Sequence, residues 1–216
     1  MKKKCLFYSL HLTIFILVTF FWARMTFGYD HDTGRLSAPG LGALKYFTIQ
    51  SNLLCALGSL SWMLGLGRHD NVRAGFWALF RLAGVVSVLI TFLVVIFFLG
   101  PMFGFAGMYA GSSLYLHLIV PLLALLTFFL TGAGADIPQK KTLWAALPLL
   151  LYGIGYVINL IVHWTEHGPG RHDFYGFATW GLPVGLMIFL LLLCVAAGLS
   201  LGLCRLSHAL AHRKQT

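Results

Sequence analysis

The chain of 216 residues is 59% hydrophobic and only 10% charged, with a mean hydropathy of +0.84. A soluble domain carries about a quarter charged residues, so the composition excludes a soluble protein. It predicts an all-α, polytopic membrane protein with a single domain over residues 1–216. The formal net charge is +9. The basic residues cluster at the ends of apolar runs rather than in a basic stripe with interleaved aromatic residues, which argues against a nucleic-acid-binding protein.

Six apolar runs follow one another along the chain, each near the ~20 residues that cross the hydrocarbon core of a bilayer. We predict transmembrane helices over approximately residues 5–28, 43–66, 75–100, 112–132, 143–163 and 177–204. The first run follows Lys2-Lys3-Lys4 and is similar to a signal peptide. It is longer than a cleaved apolar core, and no small-residue cleavage site follows it, so we interpret it as a retained first helix.

The basic residues indicate which side of the membrane each loop faces. One side carries Lys2, Lys3, Lys4, Arg68, Arg73, Lys140, Lys141, Arg205, Arg213 and Lys214. The other side carries Arg35, Lys45 and Arg171 together with Asp30, Asp32, Glu166 and Asp173. Because cytoplasmic loops are enriched in Lys and Arg, this asymmetry predicts that both termini are cytoplasmic.

Three of the six runs carry a set of polar side chains that converge on one side of the membrane, where a bilayer makes such groups costly and where they indicate a functional site. They are Thr48, Gln50, Ser51 and Asn52 in the second run, His117 in the fourth, and Asn159 and His163 in the fifth. At about 1.5 Å of rise per residue, Thr48 and His117 both lie about 7 Å below the outer ends of their helices. Asn159 comes close to the same level, so we expect one polar layer in the outer leaflet.

A hydroxyl beside an imidazole suits acyl transfer to water. A neutral histidine can take the threonine proton, so that the Thr48 oxygen attacks an ester carbonyl with His117 as its base. Candidates for binding the oxyanion or the substrate are Gln50, Ser51, Asn52, Asn159 and His163. The alternative is a non-enzymatic transporter or lipid-binding protein. In such a protein the threonine bonds its own helix and the amides join neighbouring helices.

A second motif indicates a different chemistry. The segment His163-Trp164-Thr165-Glu166-His167 has the H-x-x-E-H spacing of inverted zinc peptidases, in which two histidines one helical turn apart hold zinc and the glutamate acts as base. Gly168-Pro169-Gly170 follows immediately and disfavours a helix there, so we favour a solvated loop. Outside this alternative, we expect no metal or other cofactor.

Three segments resemble one known family. Lys45-Tyr46-Phe47-Thr48, with Gln50-Ser51-Asn52 behind it, resembles the second helix of the androgen-induced and androgen-dependent membrane protein superfamily. Residues 116–122, in which a proline follows the histidine four residues on, resemble its histidine helix. The segment Phe174-Tyr175-Gly176-Phe177 is similar to its fifth loop. The form Tyr46-Phe47-Thr48-Ile49-Gln50-Ser51-Asn52 looks nearer to the bacterial six-helix branch.

The resemblance implies a function as well as a fold. Animal members of the superfamily are threonine hydrolases that cleave fatty acid esters of hydroxy fatty acids within the membrane. By this resemblance Thr48 is the nucleophile, His117 is its base, the substrate is a long-chain lipid ester, and the partners are membrane lipids in a bacterial cytoplasmic membrane. This chain departs from the animal pattern over residues 122–131, which lack charged residues. The departure leaves the identity of the ester open.

Overall fold

The computed structural model describes residues 2–27, 40–66, 71–132, 134, 137–165, 168 and 170–212. This part of the chain is helical and contains no β-strand. The all-α class predicted from the composition is therefore confirmed. Several charged residues used above for orientation lie outside the described ranges, namely Asp30, Asp32, Arg35, Arg68, Glu166, Arg213 and Lys214.

The α-helices are α1 Lys2–Thr26, α2 Phe47–Met63, α3 Asn71–Val94, α4 Gly100–Phe103, α5 Phe105–Met108, α6 Ser112–Leu114, α7 Val120–Thr131, α8 Leu147–Val162 and α9 Leu182–His212. Two π-helical segments, Val95–Leu99 and Tyr115–Ile119, join α3 to α4 and α6 to α7. Three 3₁₀ segments cover Gly40–Lys45, Gln139–Ala146 and Gly170–His172.

Five helical stretches in the described ranges are long and apolar enough to cross a membrane. They are Lys4–Thr26, Ala74–Phe103, Ser112–Thr131, Gln139–Val162 and Leu182–Ala211. The predicted run 43–66 is different, because Tyr46 is extended (φ −86°, ψ 132°) and separates a 3₁₀ turn from α2. With 17 residues, α2 measures about 25 Å at ~1.5 Å per residue, somewhat less than the ~30 Å hydrocarbon core.

Helix α2 packs against both α1 and α3. A glycine permits its close approach to α3: a Cβ at Gly84 would lie 2.9 Å from the Cα of Cys55. Small residues at such a crossing let two backbones approach. The span that begins with α3 is the most buried of the five. It also contacts α7, α8 and α9, so it forms the centre against which the outer helices pack.

The two π segments share a sequence pattern. A proline stands two residues after each of them, Pro101 after Val95–Leu99 and Pro121 after Tyr115–Ile119. Proline has no N–H and cannot donate to the carbonyl four residues earlier. Just before Pro121 the helical hydrogen bonds reach back five residues instead of four, as in the bond from the N–H of Val120 to the carbonyl of Tyr115. Such π segments are frequent at functional sites, and the second one carries His117.

A buried cation that the sequence did not single out lies in the interior between α1, α3 and α7. Arg81 is only 8% exposed and donates to Thr131 Oγ1 at 2.9 Å. Its Nη2 lies 3.3 Å from Nε2 of His11, which is 1% exposed and stacks on Trp62. Polar partners and an aromatic face thus surround the guanidinium, as a charge at this depth requires.

Candidate active site

Thr48 lies in the first turn of α2, just after the extended Tyr46 turns the chain into the helix. The Thr48 side chain is half-buried and points toward the π segment that carries His117. Thr48 Oγ1 lies 3.2 Å from His117 Nε2. The two residues that sequence reasoning paired by depth are therefore within hydrogen-bonding distance across two helices.

The second nitrogen of the histidine defines its tautomer. His117 is buried, and its Nδ1 lies 3.1 Å from the carbonyl oxygen of Met108. A carbonyl only accepts hydrogen bonds, so Nδ1 carries the proton in the neutral ring. The lone pair of Nε2 then faces Thr48, whose hydroxyl donates to it. This is the arrangement a general base needs before it removes a proton.

The Met108 carbonyl is a site component that the sequence did not indicate. It comes from α5, a single turn between glycines with positive φ, Gly104 (91°) and Gly111 (51°). Only glycine adopts these conformations without strain, and they turn the chain so that the carbonyl meets the histidine. In hydrolases with a catalytic triad a carboxylate has this orienting role. A main-chain acceptor leaves no residue-type signal, so a search of the sequence for a third catalytic group cannot find it.

Ser51 and Asn52, both predicted as oxyanion donors, have structural partners instead. The Asn52 amide nitrogen donates to the carbonyls of Thr48, at 2.7 Å, and of Leu116, at 3.1 Å. The Ser51 hydroxyl lies 3.0 Å from the Thr48 carbonyl and 3.0 Å from Thr91 Oγ1. Both N–H groups of Asn52 are therefore in use. Asn52 therefore joins α2 to the segment that carries His117, and Ser51 joins α2 to α3.

Gln50 and Asn159 face a different space, and His163 is exposed beside it. Gln50 donates to the Leu44 carbonyl at 2.7 Å, and Asn159 donates to the His172 carbonyl at 3.3 Å. His163 Nδ1 lies 2.9 Å from the Asn159 carbonyl, and its ring stacks on His172 at 3.8 Å between centroids. Gln50 and Asn159 line a groove of about 1020 Å³ between α2 and α8. The expected single polar layer is thus divided into two sites.

Thr48 lines a much smaller cavity, of about 30 Å³. Its walls are mostly apolar, and its polar groups come from Thr48, Thr91, Tyr152 and Tyr175. The rings of Phe47 and Tyr152, 5.0 Å apart between centroids, line both the cavity and the groove. These two side chains therefore form the partition between the large groove and the Thr48 hydroxyl.

Tyr175 is a second site component that sequence reasoning did not select, although it lies in the quoted Phe174–Phe177 segment. Its hydroxyl oxygen accepts the backbone N–H of Phe47 at 2.7 Å, while the Tyr152 hydroxyl donates to the Lys45 carbonyl at 2.7 Å. Burial raises the pKa of Tyr175 to about 12, so the phenol stays protonated at neutral pH. Asp173 anchors the segment, because it accepts from the Tyr156 hydroxyl and from the backbone N–H of Ala178.

The zinc motif is only partly within the described ranges, because Glu166 and His167 lie outside them. Of its described residues, His163 bonds the Asn159 carbonyl and stacks on His172. In the part of the chain that the structure describes, no three His, Cys, Asp or Glu side chains form a group that could hold a metal ion.

Comparisons with family models, with curated proteins and with solved structures found no match to this chain.

Proposed function

We propose that this protein is an intramembrane lipid ester hydrolase with Thr48 as nucleophile and His117 as general base, related to the androgen-induced and androgen-dependent membrane proteins. The observation that carries the proposal is the 3.2 Å contact between Thr48 Oγ1 and His117 Nε2, with His117 Nδ1 held by the Met108 carbonyl. A hydroxyl, a base with its lone pair toward that hydroxyl, and a group that orients the base are the parts of an activated nucleophile.

The proposed reaction has two steps. Thr48 Oγ1 bonds to the ester carbonyl carbon while its proton passes to His117 Nε2, and the proton then moves to the departing alcohol oxygen. The product is an acyl ester on Thr48. In the second step a water molecule attacks that ester, His117 takes a proton from the water, and the proton returns to Thr48 as the fatty acid leaves. No metal or other cofactor takes part.

The negative oxygen formed in each step needs a hydrogen-bond donor. The predicted amide donors are occupied or face the groove, so we assign this role to the Tyr175 hydroxyl. Tyr175 lines the same small cavity as Thr48, and its oxygen accepts from Phe47 N, which leaves its own proton to donate into the cavity. The raised pKa keeps that proton in place.

Replacing Tyr175 by phenylalanine is expected to lower kcat about 100-fold with little change in KM, since the hydrogen bond stabilises the transition state more than bound substrate. The matched control is Tyr152→Phe, because the Tyr152 hydroxyl borders the same cavity but donates to the Lys45 carbonyl at 2.7 Å and, over a longer 3.5 Å, to the Tyr175 hydroxyl. Equal loss of kcat in the two variants, at equal thermal stability, would remove Tyr175 from the mechanism.

The proposed topology has six spans with both termini in the cytoplasm of a bacterial cell. The basic residues support this orientation, and the position of α2 between two long spans, α1 and α3, supports a crossing by the short helix together with Gly40–Lys45. A reporter enzyme that works only in the cytoplasm should be active when it is fused to the C-terminus. Activity of a periplasm-specific reporter at that position would contradict the orientation.

The second candidate function is lipid binding without chemistry. The observation that favours it is the separation of the 1020 Å³ groove from Thr48, which lies beside the 30 Å³ cavity. In the hydrolase, the Phe47–Tyr152 partition must move to admit an ester. In a lipid-binding protein, the partition stays closed and the Thr48–His117 hydrogen bond only joins two helices.

Labelling with a fluorophosphonate probe separates these functions, because the probe reacts only with an activated nucleophile. We expect the purified wild-type protein to be labelled, and peptide mass spectrometry to find the adduct on Thr48. Labelling should be unchanged by a chelator, whereas a zinc enzyme built on His163, Glu166 and His167 would lose its activity. Absence of labelling, or an adduct on Ser51 only, would count against the threonine hydrolase.

A further inference from the structure

We propose that the groove between α2 and α8 binds an anionic phospholipid from the surrounding bilayer, with the phosphate at Lys45 and Arg171 and an acyl chain along α8. Both cations line one end of the groove. This inference concerns binding alone and does not depend on the chemistry proposed for Thr48.

The charge at this end of the groove favours an anion. The Lys45 ammonium lies 5.0 Å from the centroid of the Tyr46 ring and 5.3 Å from that of Phe174, which holds it at the groove. Partial burial together with nearby His163, Arg171 and Lys45 lowers the pKa of His172, so the positive charge at this end of the groove comes from Lys45 and Arg171. None of the described residues that line the groove is acidic. The neighbouring Asp173 already bonds Tyr156 and the N–H of Ala178.

The rest of the groove is apolar and has the length of a lipid chain. Below the cations its walls include Leu54, Leu147, Pro148 and Leu151. From Asn159 to Leu147 the groove follows α8 over a separation of twelve positions, which is about 18 Å at ~1.5 Å of rise per position. One leaflet contributes about half of the ~30 Å hydrocarbon core. The cationic end of the groove therefore matches the headgroup of a phospholipid, and its apolar length matches an acyl chain within one leaflet.

The side of the groove is open, which favours a bilayer lipid over a soluble anion. Leu151 is 60% exposed, and a Cβ built on Gly155 would meet no atom within 4 Å. Because glycine has no side chain, the helix backbone at Gly155 is exposed along the groove. The volume of about 1020 Å³ is at the upper end of the roughly 300–1,000 Å³ typical of ligand sites. A free phosphate ion would leave almost all of this apolar space unused.

The test uses the full chain in a non-ionic detergent and measures its unfolding temperature as dioctanoyl phosphatidylglycerol is added. A ligand that binds only the folded protein raises this temperature with increasing concentration. Dioctanoyl phosphatidylcholine, which has no net charge, and inorganic phosphate are the comparison ligands. Gly155→Leu fills the groove at a helical position with open space. Gly198→Leu is the matched control, because Gly198 in α9 is equally open and lies outside the groove.

We expect phosphatidylglycerol to stabilise the wild type and Gly198→Leu but not Gly155→Leu. The double variant Lys45→Gln/Arg171→Gln should bind it about thirtyfold more weakly, at roughly fivefold per cation near a membrane surface. Thr48→Ala should bind it as the wild type does, so a failure of the hydrolase proposal is distinguishable from a failure of this one.

Four outcomes would overturn the inference. Equal stabilisation by phosphatidylcholine would show that Lys45 and Arg171 do not select the charge of the head. Stabilisation by inorganic phosphate that persists in Gly155→Leu would indicate a site for a free anion. Failure of phosphatidylglycerol to stabilise the wild type, or full stabilisation of Gly155→Leu, would show that the groove does not hold the lipid.

Discussion

Replacing Thr48 by alanine is expected to lower the rate of lipid ester hydrolysis by about 1,000-fold or more, because Thr48 is the one hydroxyl that contacts a histidine among the described residues lining the small cavity. Among the described residues, the Thr48 side chain bonds only to His117, and the Thr48 carbonyl still accepts from Ser51 and Asn52 after the substitution. The variant should therefore fold. Hydrolysis of a long-chain ester by purified protein, with KM measured separately, gives the comparison.

Thr48→Ser is the matched control for this substitution, because it keeps the hydroxyl and removes only a methyl group. It should retain hydrolysis within about tenfold of the wild type and should still react with a fluorophosphonate. If Thr48→Ala hydrolyses the ester as fast as Thr48→Ser, the hydroxyl takes no part in the chemistry. The Thr48–His117 contact would then be a structural hydrogen bond between helices.

Replacing His117 by asparagine should lower hydrolysis by about 100- to 10,000-fold, the usual contribution of a positioned general base. Asparagine keeps an N–H donor near the position of Nδ1, so the bond to the Met108 carbonyl can persist. It has no basic nitrogen to take the Thr48 proton. The variant thus separates loss of the base from loss of a buried hydrogen bond.

His117→Leu is the companion variant, since it removes both hydrogen bonds. It leaves the Met108 carbonyl without its partner, which costs about 1–3 kcal/mol when the group is buried. We expect both variants to lose hydrolysis and only His117→Leu to lose thermal stability. If His117→Asn remains as active as the wild type, His117 does not act as the base.

The helices were largely predictable because apolar runs carry their own signal. The predicted runs 5–28, 75–100 and 112–132 correspond closely to the stretches Lys4–Thr26, Ala74–Phe103 and Ser112–Thr131. The run 43–66 was predicted as one helix and is broken at Tyr46. Hydropathy averaged along the chain does not detect a single residue with an extended backbone. Tyr46 is as compatible with a membrane as its neighbours, so its side chain does not indicate the break.

The site was predictable only in part. Side chains such as Thr48 and His117 stand out because they are polar within apolar runs. The Met108 carbonyl has no such signal, and Tyr175 is one aromatic residue among several in its loop. Ser51 and Asn52 stood out for the same reason as Thr48, but they bond backbone carbonyls. Residue type alone does not distinguish a side chain that holds the helices together from one that faces a cavity.

The sequence by itself determined the all-helical class and the approximate limits of most long apolar helices, because composition and apolar run length depend only on the order of residues. The tertiary structure decided which faces of the helices meet. Rotation about each helix axis depends on the packing of all its neighbours, as at the close contact of Gly84 with Cys55. That packing brings His117 to Thr48 and directs Gln50 and Asn159 to a separate groove.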